Sequence, residues 1–276
     1  MERVLNVLVN PAVNASSYIA FIEKGLGKVN VIKHSKGEPV NQEIDIVLFT
    51  GGEDVDPRMY NYTRNKKTSS NIDRDSFEKD MFNRYDGSIN RRKKEVLFLG
   101  ICRGAQFLTV VNKGSLIQHV NNHTSSHPIT ISSKYNDNKV DIRGEIDAWF
   151  RAATARGERV GNPQLREEER RLHQLHKGDL EVIATSTHHQ MLMPFHLQKD
   201  EYEMIAHSTY FRSDTYELDC EENQLITNKI KNFVEPEIVY YPKTNSLAIQ
   251  GHPEMDSATE EFTSMCIKII NKKLVK

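Results

Sequence analysis

The run LFLGICRGAQFL, residues 97–108, constrains this chain more than any other, because it sets one cysteine between two glycines where an apolar strand gives way to a helical pattern. Leu97, Phe98, Leu99 and Ile101 predict a short strand buried on both faces, and Phe107, Leu108, Val110 and Val111 predict an apolar stripe at helical spacing. Gly100 and Gly104 flank Cys102 two residues to either side. A Gly-x-nucleophile-x-Gly turn is tight and strained, and side chains at its glycine positions would collide with the adjoining strand and helix. At a helix N-terminus, unpaired N–H groups and the macrodipole favour the thiolate. Cys102 is therefore read as a nucleophile, although a free cysteine at a strand end can also simply fill space.

A cysteine nucleophile needs a base, and LAIQGHPEMD, residues 247–256, supplies one. Pro253 fixes its own φ and pushes His252 into an extended conformation, so that His252 and Glu254, two apart, face the same way. The carboxylate can then hold one ring nitrogen and leave the other for the thiol, an arrangement of nucleophile, base and orienting acid. Upstream, Gly51 and Gly52 follow the apolar strand 46–49, at a carboxyl end where open α/β sheets place their sites.

With these residues in view, the chain resembles the class I glutamine amidotransferases and their γ-glutamyl hydrolase relatives, the peptidase C26 group, including γ-glutamyl-γ-aminobutyrate hydrolase-like proteins. Gly-Ile-Cys-Arg-Gly and the later His-Pro-Glu carry the resemblance. It is supported by TGGEDVDPRMY at 50–60, by Asp73, Arg74, Asp75 and Glu78 at a helix start, by His123 and His127 before a strand, and by STHHQ at 186–190. The resemblance implies a flavodoxin-like α/β fold with a mostly parallel central sheet flanked by helices. It also implies attack of Cys102 on a γ-glutamyl amide, passage through a thioester, His252 as base and then acid, and Glu254 as orienting group. The backbone N–H groups of Gly52 and Arg103 would receive the oxyanion, Gly51 would permit close approach, and Gln106, His189 and Gln190 would line the γ-glutamyl pocket.

Some positions depart from the family pattern. Gly251 stands where relatives usually have a large aromatic, Thr185 replaces a frequent Asn, and residues 208–233 intervene where relatives carry an Asp-Gly hairpin before the last motif. From Arg143 to Arg171 there are seven Arg and no Lys, with the single Trp, Trp149. This stretch reads as a helical insertion, 143–177, with helices around Ile146–Ala155 and Leu165–His176. It is expected to be a solvated insertion, with a lid or docking surface as the alternative.

With 37 basic and 38 acidic residues, the chain offers no electrostatic case for nucleic acid or a membrane surface. Three scattered cysteines argue against a disulfide framework, and no secretory or membrane-spanning run is visible, so a cytoplasmic protein is expected. Cys266 falls on the apolar face of the last helix, and Cys220 lies in a polar run. Residues 1–276 are expected to form a single domain. Strands are placed at 4–9, 29–32, 46–50, 96–100, 129–132, 182–185, 238–241 and 247–250. Helices are placed at 17–26, 76–92, 104–112 and 258–273, the last with a capping box of Ser257 and Glu260.

His119, His123 and His127 are spaced by four and could share a helical face, with His188 and His189 as further ligands. Asn121, Asn122, Thr124, Ser125, Ser126 and Pro128 disfavour that helix, so neither metal nor organic cofactor is expected. The function expected is a cysteine hydrolase acting on a small γ-glutamyl conjugate or glutamine. The alternatives are a glutaminase component feeding a separate synthetase, and a catalytically silent scaffold. A homodimer and a synthetase partner both remain open.

Overall fold

The computed structural model describes residues 4–36, 43–85, 96–135, 179–218 and 233–274. The Arg-rich stretch 143–177, Cys220 and the end of the helix expected at 76–92 lie outside them. In chain order the elements begin with β1 (Leu5–Val9), α1 (Ser16–Leu26), β2 (Val29–Lys33), β3 (Ile46–Phe49), α2 (Ile72–Tyr85), β4 (Leu97–Ile101) and α3 (Arg103–Val111). There follow β5 (Ser115–Ile117), β6 (His119–Val120), β7 (His127–Ile131), β8 (Leu180–Ala184), β9 (Met191–Met193), β10 (Glu203–Ser208) and β11 (Tyr216–Glu217). The last are β12 (Pro236–Tyr241), β13 (Ser246–Ile249) and α4 (Glu260–Leu274).

Nine strands form one sheet in the order β2-β1-β3-β4-β13-β12-β10-β7-β8. The half from β2 to β13 is parallel throughout. Beyond it the pairing becomes antiparallel, yet only β12 and β7 run against the common direction. The expected mostly parallel sheet is thus present. Its order also mixes early and late sequence, since β13 pairs with β4 in register Leu247 to Leu99 and Ile249 to Ile101.

The central strands are apolar at every position because both faces are covered. Val7, Val9, Ile46, Leu48, Leu97, Leu99 and Ile101 point one way, against Phe21 and Ile22 of α1 and Phe262, Ile269 and Ile270 of α4. Leu8, Val47, Phe49 and Phe98 point the other way, against Met81 and Phe82 of α2 and Phe107 and Leu108 of α3. Each such side chain removed from water contributes roughly 1.5–3 kcal/mol before entropy is set against it. Cys266 is fully buried in the first of these layers, as its place on the helical stripe predicts.

Two helix starts depart most from expectation, while the strands at 127, 180 and 236 each begin two residues early. α2 starts at Ile72, earlier than predicted, because the Asn71 side chain accepts the Arg74 N–H (3.2 Å) and caps it. Helix α4 starts at Glu260 with Thr259 at its head, and Thr259 Oγ1 accepts the Phe262 N–H at 3.3 Å; the Ser257–Glu260 capping box is not the one used. Thr259 wins because its hydroxyl also donates to the Ile183 carbonyl (3.0 Å), fixing the helix start to β8. No helix among the described residues is long and apolar enough to cross a membrane.

Candidate active site

Cys102 sits between β4 and α3 with φ 54° and ψ −112°, a left-handed backbone that a non-glycine residue adopts only when its surroundings enforce it. The enforcement is visible. Its N–H donates to the Ile249 carbonyl (2.8 Å), and its own carbonyl accepts the Ala105 N–H at 2.9 Å, opening α3. A Cβ on Gly100 would lie 2.3 Å from the Gly104 carbonyl oxygen, and one on Gly104 would lie 2.0 Å from that of Phe49. Both glycines are therefore required by backbone crossing backbone.

The Gly51-Gly52 loop leaves β3 beside this turn. A Cβ on Gly51 would stand 3.4 Å from His252 Cε1 and 3.5 Å from Cys102 Cβ, so the bare backbone lies against both. Gly51 donates its N–H to the Tyr18 hydroxyl (3.1 Å). Gly52, at φ 145°, has no room for a side chain because Arg74 Nη1 would be 2.2 Å from its Cβ.

Helix α2 holds both loops, which explains why Arg74, Asp75 and Glu78 occur together. Arg74 donates to the carbonyls of Thr50 and Gly51 (both 3.1 Å), to Glu53 (2.7 Å) and to Glu78 (2.9 Å). Arg103, the residue after the cysteine, turns its fully buried guanidinium to Asp75 and Glu78. Asp75 also accepts the Asp56 N–H (2.9 Å). Burial pushes the Asp75 carboxyl upward, against the lowering effect of the Arg103 charge beside it.

From the other side, β13 delivers His252. The His252 N–H donates to the Thr185 carbonyl (2.8 Å), Nδ1 meets Glu254 Oε1 at 2.8 Å, and Nε2 meets the Thr187 hydroxyl at 2.8 Å. Burial draws the imidazole pKa down, but the adjoining Cys102 and Glu254 outweigh it and raise the pKa to about 10. The structure thus brings Cys102, His252, Glu254, Gly51, Gly52 and Arg103 to one place. Thr187 was not singled out from the sequence; its only signal was its position inside Ser-Thr-His-His-Gln.

The remaining expected residues lie on adjoining elements. Gln106 donates to the Gln190 carbonyl (3.3 Å), and the Gln190 side-chain amide is fully buried with neither atom partnered among the described residues. His189 is partly exposed and faces Asp54 of the glycine loop at 3.1 Å, whose hydrogen bond raises its pKa. Gly251 is required by its neighbours: a Cβ would meet the Thr185 carbonyl at 2.9 Å and the Phe262 ring of α4 at 3.0 Å.

The peptidase C26 family model matches residues 8–209, and the chain belongs to that family of hydrolase-type enzymes. A Schizosaccharomyces pombe protein named "Putative glutamine amidotransferase" is 34% identical over 110 residues, 39% of this chain and 41% of that protein. A Rickettsia prowazekii protein with a "Putative glutamine amidotransferase-like" name is 29% identical over 118 residues, 41% of this chain and 40% of that protein. The chain thus spans about two fifths of these relatives' lengths. A glutamine amidotransferase structure from Thermotoga maritima superposes with a TM-score of 0.48 at 12% identity, covering 99% of this chain and 100% of that one.

Proposed function

We propose that the protein is a cysteine hydrolase that cleaves a γ-glutamyl amide through a γ-glutamyl thioester. The observation that carries this reading is His252, held by Glu254 at 2.8 Å on Nδ1 and set beside Cys102 against the bare Gly51 backbone. In this reading the Cys102 thiolate adds to the γ-carbonyl carbon, and the oxyanion forms against the backbone N–H groups of Gly52 and Arg103. Collapse expels the amine, which takes its proton from the His252 imidazolium. His252 then draws a proton from water as the water attacks the thioester, and collapse releases glutamate and returns the Cys102 thiolate beside the His252 imidazolium. Gln106, His189 and Gln190 surround the γ-glutamyl group. The unpartnered, buried Gln190 amide suits a polar ligand.

The reading takes residues 1–276 as one hydrolase domain. It is supported by the seating of the late strand β13 between β4 and β12. A reducing compartment such as the cytoplasm would keep Cys102 free. The competing reading, a glutaminase that passes ammonia to a synthetase, draws on the names of the two curated relatives. The purified chain, given glutamine and a panel of γ-glutamyl amines, is expected to release glutamate from at least one amine faster than from glutamine. Silence toward the whole panel, with glutaminase activity arising only when a synthetase is added, would favour ammonia delivery instead.

A further inference from the structure

We propose that the protein holds a divalent metal of the zinc class in a buried site made by His123, His127, His188 and Glu237, separate from the cysteine centre. The four-residue spacing of His123 and His127 does bring them together, through a loop that enters β7 rather than through a helix. One donor atom from each of His123, His127 and Glu237 falls within a 4.8 Å cluster. His188 Nε2 lies 3.9 Å from Glu237 Oε1, His123 Nδ1 is 3.6 Å from it, and His127 Nε2 is 2.8 Å from it. All four side chains are buried. His119 does not join them; its ring lies beside His189 instead.

Hydrogen bonding decides which nitrogens are free to bind. His127 Nδ1 faces the Ser125 carbonyl at 3.1 Å, and His188 Nδ1 faces the Gln190 carbonyl at 2.8 Å. A carbonyl only accepts, so each Nδ1 carries the hydrogen and each neutral ring turns its Nε2 lone pair inward. His123 directs Nε2 to Glu235 at 3.3 Å and Nδ1 inward. Three ring nitrogens and a carboxylate therefore converge, and the 2.8 Å contact of His127 Nε2 with Glu237 Oε1 is one that a shared proton or a metal would fill. His188 Nε2 and Glu237 Oε2 have no hydrogen-bond partner among the described residues.

Metal-bound imidazoles commonly give their second ring nitrogen to a carbonyl or carboxylate, as His127 and His188 do here, while His123 Nε2 faces Glu235 at 3.3 Å. Glu235 stands outside the set, its oxygens filled by the N–H groups of Arg212 (2.8 Å) and Ser213 (2.9 Å) and the Tyr216 hydroxyl (2.7 Å). His123, His127 and Glu237 supply three donors within 4.8 Å of one another, and His188 Nε2, 3.9 Å from Glu237 Oε1, stands beside them as the fourth that a closed structural shell of the zinc class would draw in. Such a metal would pin the loop after β8, and with it Thr187, which touches His252.

The test uses the full chain carrying Cys102→Ala, so that the catalytic thiol cannot supply a ligand. Protein stripped with a chelator and reloaded with zinc alone should retain one equivalent per chain through gel filtration and should melt several degrees higher. Cobalt(II) in its place should give the intense visible bands of a tetrahedral nitrogen and oxygen site. Adding Glu237→Gln should cut retained zinc at least tenfold. If that variant does not fold, the parent's zinc stoichiometry and cobalt spectrum decide the matter. A melting temperature indifferent to zinc and chelator, or zinc retained equally after Glu237→Gln, would overturn the proposal and leave a cluster held by protons.

Discussion

Arg103 and Glu78 form a fully buried ion pair that ties the residue following the cysteine to helix α2, with Asp75 as the second carboxylate on the same guanidinium. The turn that carries Cys102 is thus held by charge on one side and by glycine backbone on the other. Removing the guanidinium would leave two carboxylates in the interior, with Arg74 reaching only Glu78. Arg103→Ala should accordingly lower stability by about 3–5 kcal/mol in urea denaturation. A loss under ~1 kcal/mol would mean that the carboxylates are neutralised another way.

The two described thiols should behave differently. Cys266 is fully buried and its thiol is pushed well above its ordinary value by burial and then by the Glu254 charge, whereas Cys102 keeps some exposure at the head of α3. Iodoacetamide near neutral pH should modify Cys102 first, as read by peptide mass mapping. Cys102→Ala should lower kcat by ~10³-fold or more with an unchanged melting curve. Preferential labelling of Cys266 would contradict the assignment.

His252 carries a pH signature. With its pKa raised from 6.5 to about 10, the folded protein keeps the imidazolium where the unfolded chain has lost it. Its contribution to stability is complete below the unfolded value and is lost as pH rises from about 6.5 to about 10. The alkaline limb of kcat/KM should fall in the upper part of that range. Glu254→Gln removes a charge that supports the proton, so the limb should move to lower pH while kcat drops ~10²–10⁴-fold. An unmoved limb would show that Glu254 does not govern the base.

Gly251 gives a packing test. Gly251→Ala forces a methyl against the Thr185 carbonyl and the Phe262 ring, and should cost about 1–3 kcal/mol in thermal or urea unfolding. Pairing it with Phe262→Leu should recover part of that loss. Equal destabilisation in the single and double variants would place the conflict at the Thr185 carbonyl alone.

Local patterns announced the centre of this fold well. A strand buried on both faces, such as 97–101, can be nothing but apolar; the expected contact of His252 with Glu254 is also present, although through a turn closed by the Met255 N–H on the His252 carbonyl (3.4 Å) rather than through an extended run. The strand pairs β5–β9 and β6–β11 carry no such signal, being two or three residues long and defined only by their distant partners. The partners of Arg103 lie on a helix that precedes it by more than twenty residues, and nothing local to either segment announces the contact. The histidine cluster was hidden for a related reason. Local composition rightly denied a helix through His123 and His127, while Glu237 and His188 arrive from β12 and the loop after β8.

The seating of β13 between β4 and β12 has a consequence for how the molecule is made. During synthesis β4 and its cysteine leave the ribosome long before residues 246–249, so the nascent sheet exposes an open strand edge at its middle. The strand that closes this edge is the one that brings His252 to Cys102. A half-finished chain therefore holds a thiol without its base, and sealing the sheet and arming the cysteine become one event.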